Sequence, residues 1–93
     1  MKRAAARHIL VKTEQLCQQI KDRIEAGEEF GQLAKEHSTC PSKVHGGALG
    51  SFSRGQMVAE FDEVVFSAQL NTVQGPVKTQ FGYHLVEVTA RND

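Results

Sequence analysis

The sequence predicts an α+β domain, on three observations. A strand pattern lies near each end of the chain, helical periodicity fills the stretch between, and 93 residues suffice for one domain only. Terminal strands separated by helices can pair at the centre of a single sheet.

Residues 6–11, Ala-Arg-His-Ile-Leu-Val, alternate as a strand, with His8 and Leu10 on one face and Arg7, Ile9 and Val11 on the other. Thr13 is a suitable N-cap for a helix running to about residue 26, because its hydroxyl can accept from a free backbone N–H. Leu16, Cys17, Ile20 and Ile24 fall on one stripe of that helix. Gly27 is its expected stop, since glycine adopts a left-handed C′ conformation at little cost. Residues 28–37 predict a second, shorter helix, with Phe30, Leu33, Ala34 and His37 on one face. Residues 38–47 predict a loop, because Pro41 and the Gly46-Gly47 pair oppose regular structure. A short strand is expected at 49–53, a turn at Arg54-Gly55, and a third helix near 58–66 that aligns Phe61 with Val65. Residues 71–75 predict a turn and 76–79 a strand. Gln80-Phe81-Gly82 predicts a tight turn, and 83–90 a last strand on which His84, Val86 and Val88 share a face.

Composition narrows the function classes. Eleven Lys and Arg balance eleven Asp and Glu, which argues against a basic nucleic-acid binder and against an acidic tail. No apolar run approaches the ~20 residues that span a bilayer. No apolar stretch of a secretory signal follows Met1-Lys2-Arg3, so the expected compartment is the cytoplasm, with no membrane partner. Cys17 and Cys40 are too few for a disulfide framework and are expected to be free thiols, Cys17 in the core.

The residues able to carry chemistry are few. His8 and His84 sit inside apolar strands, where each ring nitrogen left unpaired costs about 1–3 kcal/mol. If the two strands are neighbours, the rings can partner each other, either as a structural pair fixing register or as part of a site. His37 and His45 read as surface or helix-end residues. Cys40, in a loop before Pro41, could be a nucleophile, but no nucleophile elbow and no third orienting carboxylate accompany it. A metal site of His8, Cys40 and His84 lacks compact ligand spacing, and the scattered glycines form no phosphate-binding loop. Leu49, Met57, Phe61 and Phe81 are either ordinary core or the wall of a small apolar cup suited to a compact apolar ligand.

Several runs carry a resemblance. Arg7-His8-Ile9-Leu10-Val11-Lys12, the stretch from Phe30 to Ser38, Cys40, the stretch from Gly46 to Met57 continuing through Val58-Ala59-Glu60-Phe61, and the stretch from Gly75 to His84 resemble the ordered motifs of parvulin-type peptidyl-prolyl cis/trans isomerases. The likeness extends over essentially all of residues 1–93 and is greatest to the minimal, single-domain bacterial form. It implies a four-stranded antiparallel sheet surrounded by helices. It implies that His8 and His84 are paired histidines in the sheet, that Thr79 bonds into their network, and that Cys40 faces the substrate peptide bond. Leu49, Met57 and Phe61 would hold the prolyl ring, with Phe81 on the rim and Gln56 offering a backbone contact to substrate.

The implied activity is rotation about Xaa-Pro bonds in unfolded or nascent chains, by a monomer without metal or cofactor and with Cys40 acting non-covalently. Lys12 runs directly into Thr13-Glu14-Gln15, without the basic loop that binds phosphate in some eukaryotic relatives, so no preference for phosphorylated substrates is expected. Ala48 stands where many relatives carry Asp. Two competing readings remain: a module that holds proline-containing segments without turnover, and a thiol enzyme that would need a stabilised Cys40 thiolate.

Overall fold

The computed structural model describes residues 2–92. Strand β1 (Arg3–Val11) is followed by helices α1 (Glu14–Glu25) and α2 (Phe30–His37), a 3-10 turn (Pro41–His45), strand β2 (Ala48–Ser53), helix α3 (Ala59–Val65), and strands β3 (Val73–Thr79) and β4 (Gly82–Asn92). The strands form one antiparallel sheet in the order β2-β1-β4-β3, so the two terminal strands lie at its centre.

The helix signals act as expected. The Thr13 hydroxyl accepts from the Leu16 N–H at 3.2 Å. At the other end Gly27, at φ +111°, occupies C′, and the N–H groups of Gly27 and Glu28 reach back to the carbonyls of Ile24 and Arg23. Helix α2 starts two residues later than its apolar spacing predicts. Glu28 closes the end of α1 and pairs with Arg23, while Glu29 is extended at the N-cap.

Further boundaries differ: β1 starts at Arg3, three residues before the expected 6, and β4 runs on to Asn92. The 38–47 loop contains the 3-10 turn, because proline is tolerated in the first turn of a helix, where its missing N–H has no partner to lose. Strand β3 begins at Val73 and continues through Gly75-Pro76 with a register irregularity between Gln74 and Val77. As an edge strand it can accommodate a proline that a central strand could not.

Alternation along the central strands divides the core. Ile9, Val11 and Leu85 meet Cys17, Ile20, Phe30, Leu33 and Ala34 of α1 and α2 on one face. Ala4, Ala6, Val86 and Val88 meet Phe61 and Val65 of α3, with Phe52 of β2, on the other. Arg7 belongs to the first face, where its guanidinium lies 4.5 Å from the centre of the Phe30 ring.

Beyond β2, the segment 38–47 straps β1. The Thr39 N–H donates to the Leu10 carbonyl at 2.8 Å, the Leu10 N–H to the buried Ser38 hydroxyl at 3.0 Å, and the His8 N–H to the Gly47 carbonyl at 3.0 Å. This approach requires glycine at position 47. Its φ is +89°, and a Cβ there would stand 2.3 Å from the His8 carbonyl oxygen. Gly47→Ala is therefore expected to destabilise the fold by more than ~2 kcal/mol, read as a lowered urea midpoint; an unchanged midpoint would contradict the close approach.

Candidate active site

The second face of the sheet carries the site. Leu10 pairs with His84 and His8 with Val86, so the two histidines are diagonal neighbours on adjacent strands with their side chains on the same face. Their Nδ1 atoms lie 3.0 Å apart, with the rings nearly parallel at 21°. His84 Nε2 lies 2.7 Å from the Thr79 hydroxyl oxygen, which also accepts from the Phe81 N–H at 3.2 Å. The edge of Phe61 closes the pair, its ring 5.7 Å from each imidazole.

Burial controls the charge of these rings. Desolvation lowers the His8 pKa to about 4, and the neighbouring His84 reinforces the shift. Desolvation also moves His84 downward. At pH 7 both rings are neutral, and one N–H serves the contact between the two Nδ1 atoms. His8 Nε2 is buried with no hydrogen-bond partner in the structure.

In front of the pair opens a cleft of about 360 Å³, lined by His8, Leu10, Thr39, Cys40, Pro41, Leu49, Met57, Val58, Phe61, Phe81 and His84. Seven candidates from the sequence line it together: His8, Cys40, Leu49, Met57, Phe61, Phe81 and His84. Thr79 is buried behind His84. Phe81, 61% exposed, stands at the rim, whereas Phe61, at 3%, is part of the core as well as the floor.

The Gln56 side chain is engaged in its own turn. It lies outside the lining, and its Oε1 accepts from the Ser53 N–H at 2.5 Å. A side chain that closes its own turn is engaged locally. Ala48 also lies outside the cleft, in a separate polar groove with Arg7, Lys35 and His45.

The structure adds positions that spacing did not single out. Ser38, 3% exposed, accepts from the N–H groups of Leu10 and Cys40 and so ties the cysteine loop to β1. Buried Asp62 accepts from the Gly55 N–H at 2.7 Å and holds the loop that delivers Met57. A serine after a helix and an acid inside one carry no sequence signal for such long-range bonds. Leu10 was recoverable, since strand alternation already put it on the face of His8.

The thiols differ. Burial raises Cys17 to about 11, the behaviour of an inert core thiol. Among the described residues, the Cys40 thiol makes no hydrogen bond with either imidazole. No cluster of three His, Cys, Asp or Glu able to hold a metal ion occurs among the described residues.

The antiparallel sheet thus carries a buried histidine pair as the floor of an apolar cleft. Residues 3–90 match the family described as rotamase, PPIC-type PPIase domain, and the chain belongs to that family. It is 44% identical over 89 residues to the foldase protein PrsA of Halalkalibacterium halodurans, an alignment covering 95% of this chain and 27% of that protein. It is 48% identical over 83 residues to PrsA of Caldanaerobacter subterraneus, covering 88% of this chain and 27% of that one. The chain thus spans about a quarter of the length of these curated relatives. Among solved structures, NmPin, the parvulin of Nitrosopumilus maritimus, superposes with a TM-score of 0.86 at 35% identity, covering 97% of this chain and 98% of that one. The peptidylprolyl isomerase PrsA of Bacillus anthracis superposes with a TM-score of 0.96 at 34% identity, covering 99% of this chain and 43% of that one.

The histidine pair makes stability depend on pH. In the unfolded chain His8 protonates near 6.5, whereas the folded ring resists protonation to about 4. The unfolded state therefore binds more protons in that window, and stability falls as pH drops through it, by roughly 3 kcal/mol from this group. The expected result is a falling urea midpoint between pH 6.5 and 4, with the His8 ring carbons remaining in the neutral position by NMR. A His8 ring titrating at its ordinary pKa in the folded protein would contradict this.

Proposed function

We propose that this domain accelerates rotation about Xaa-Pro bonds in unfolded or nascent chains, without phosphate specificity and without a covalent intermediate. The observation that carries the reading is the cleft itself, an apolar cup standing directly on a buried pair of neutral imidazoles. The name foldase borne by the PrsA relatives supports clients that are still folding.

The reaction breaks no covalent bond. Its barrier is amide resonance, about 18–20 kcal/mol, so the site must fit the twisted amide better than either planar form. In the twisted state the prolyl nitrogen regains a lone pair and the carbonyl becomes ketone-like. Leu49, Met57 and Phe61 would hold the prolyl ring while the preceding carbonyl swings. The same apolar wall strips water from the amide and removes hydration that favours the more polar planar form. Val58 and Phe81 would extend that wall to the rim.

His8, His84 and Thr79 would set the polarity of the floor. A neutral, desolvated imidazole is a poor stabiliser of a thiolate, and among the described residues neither ring hydrogen-bonds to the Cys40 thiol. Both facts support a non-covalent Cys40, which would tune the electrostatics beside the carbonyl. The cleft lining contains no Lys or Arg, which supports indifference to a phosphorylated residue before proline.

Exchange NMR on a panel of Xaa-Pro peptides tests the reading. Wild-type protein is expected to catalyse exchange, with no gain for a phosphorylated member. Met57→Ala is expected to lower kcat/KM about tenfold, a loss of ~1.4 kcal/mol of transition-state stabilisation, with little change in urea midpoint because Met57 is only partly buried. Phe61→Ala would lose stability as well, since it empties part of the core. Cys40→Ser is expected to retain at least about a third of the rate; abolition in a folded protein would establish the nucleophile instead. Binding of the peptides without any exchange would establish the holding module.

A further inference from the structure

Strand β2 does two jobs that a regular strand cannot combine. Phe52 pairs with Ala4 and packs into the core beside Phe61, while Leu49 lines the cleft on the same side of the sheet. These residues are three apart, and in an unbroken strand an odd separation places side chains on opposite faces. The register shows how the phase is shifted. Ala5 pairs with Ser51 and Arg7 with Ala48, so two steps along β1 correspond to three along β2. One extra residue is inserted at Leu49-Gly50, a β-bulge, and Gly50 there has φ +73°.

We propose that Gly50 is a positioning residue for isomerisation, acting through Leu49: the left-handed backbone at Gly50 turns Leu49 from the Arg7 face of the sheet onto the cleft wall. The role rests on the reading of this cleft as the prolyl site. Space is not the reason for glycine, since a Cβ at position 50 would meet nothing within 4 Å. The backbone conformation is the reason. A β-branched residue disfavours positive φ strongly, whereas asparagine tolerates it. Steric and conformational effects, which are mixed at Gly47, are thus separable at Gly50.

The consequence of losing the bulge follows from the period of two. If the strand became regular at position 50, the phase at Leu49 would reverse and its side chain would leave the wall. Phe52, on the other side of the bulge and paired with Ala4, would keep its face. The core would remain while the cleft lost one side.

The test is a double-mutant cycle read by exchange NMR on a Xaa-Pro peptide, with urea unfolding measured alongside. Gly50→Val is expected to lower kcat/KM about tenfold, and Gly50→Asn to keep it within about threefold of wild type. In a Leu49→Ala background, Gly50→Val is expected to change the rate less than about twofold, because the side chain it misplaces is gone. A general loss of folding would lower activity in both backgrounds, so the cycle separates positioning from stability. If Gly50→Val does not fold, Gly50→Ala is carried through the same cycle. NOEs from the Leu49 methyls to the cleft lining should persist in Gly50→Asn and disappear in the impaired variant. Full additivity of the two substitutions, or an asparagine variant as impaired as the valine one, would overturn the role of Gly50 while leaving an active wild type. Absence of exchange with wild-type protein would overturn the isomerase reading and this role with it.

Discussion

The pairing of β1 with β4 is the constraint on which the rest of the molecule depends. Two strands from opposite ends of the chain run antiparallel through the sheet centre, and their register sets His8 diagonally across from His84. The contact between the two Nδ1 atoms satisfies one nitrogen of each ring in a place where water cannot. The pair therefore rewards one register and penalises a one-residue slip of β4, which would turn His84 to the other face, among Ile9 and Val11, and leave His8 without its partner. The arrangement is not free of cost, because His8 Nε2 is buried without a partner. A buried polar atom held at the floor of a cleft is the kind of local conflict that folds tolerate where function resides.

Around that pairing the two faces of the sheet have separate tasks. One face is a closed apolar core under α1 and α2 and contributes no residue side chain to the cleft other than through the shared strands. The other face is only partly covered by α3, and the uncovered part is the cleft. The 38–47 segment borders it by bonding to β1 beyond the reach of β2, which brings Cys40 and Pro41 to the lining. The loop from Ser53 to Met57, held by Gln56 and Asp62, brings Met57 to the same lining. The walls of the cleft are thus assembled largely from connections, while the sheet supplies its floor.

Such a site suits a reaction in which geometry changes and bonds do not. In the proposed reaction the neutral imidazoles would set the polarity of the floor, and the apolar wall would grip the prolyl ring in an environment poor in water. The requirement is complementarity to a twisted amide, and complementarity depends on where each wall residue stands.

Much of the fold was legible in the sequence because its signals are local. Period-two alternation assigned the faces of β1 and β4, and with them the placement of His8, Leu10, His84 and Val86. The N-cap at Thr13 and the stop at Gly27 need only neighbouring backbone. The four-stranded topology followed from the ordered motifs of the family. What the sequence could not determine lies in contacts the packed chain makes: the strap from Ser38 and Thr39 to Leu10, the bond from Asp62 to Gly55, and the phase shift at Leu49-Gly50. Each depends on which strand lies alongside and in what register, and one residue of register reverses a face. Residue type and spacing determined which groups are available for chemistry; only the packed sheet decided which of them stand around one cleft.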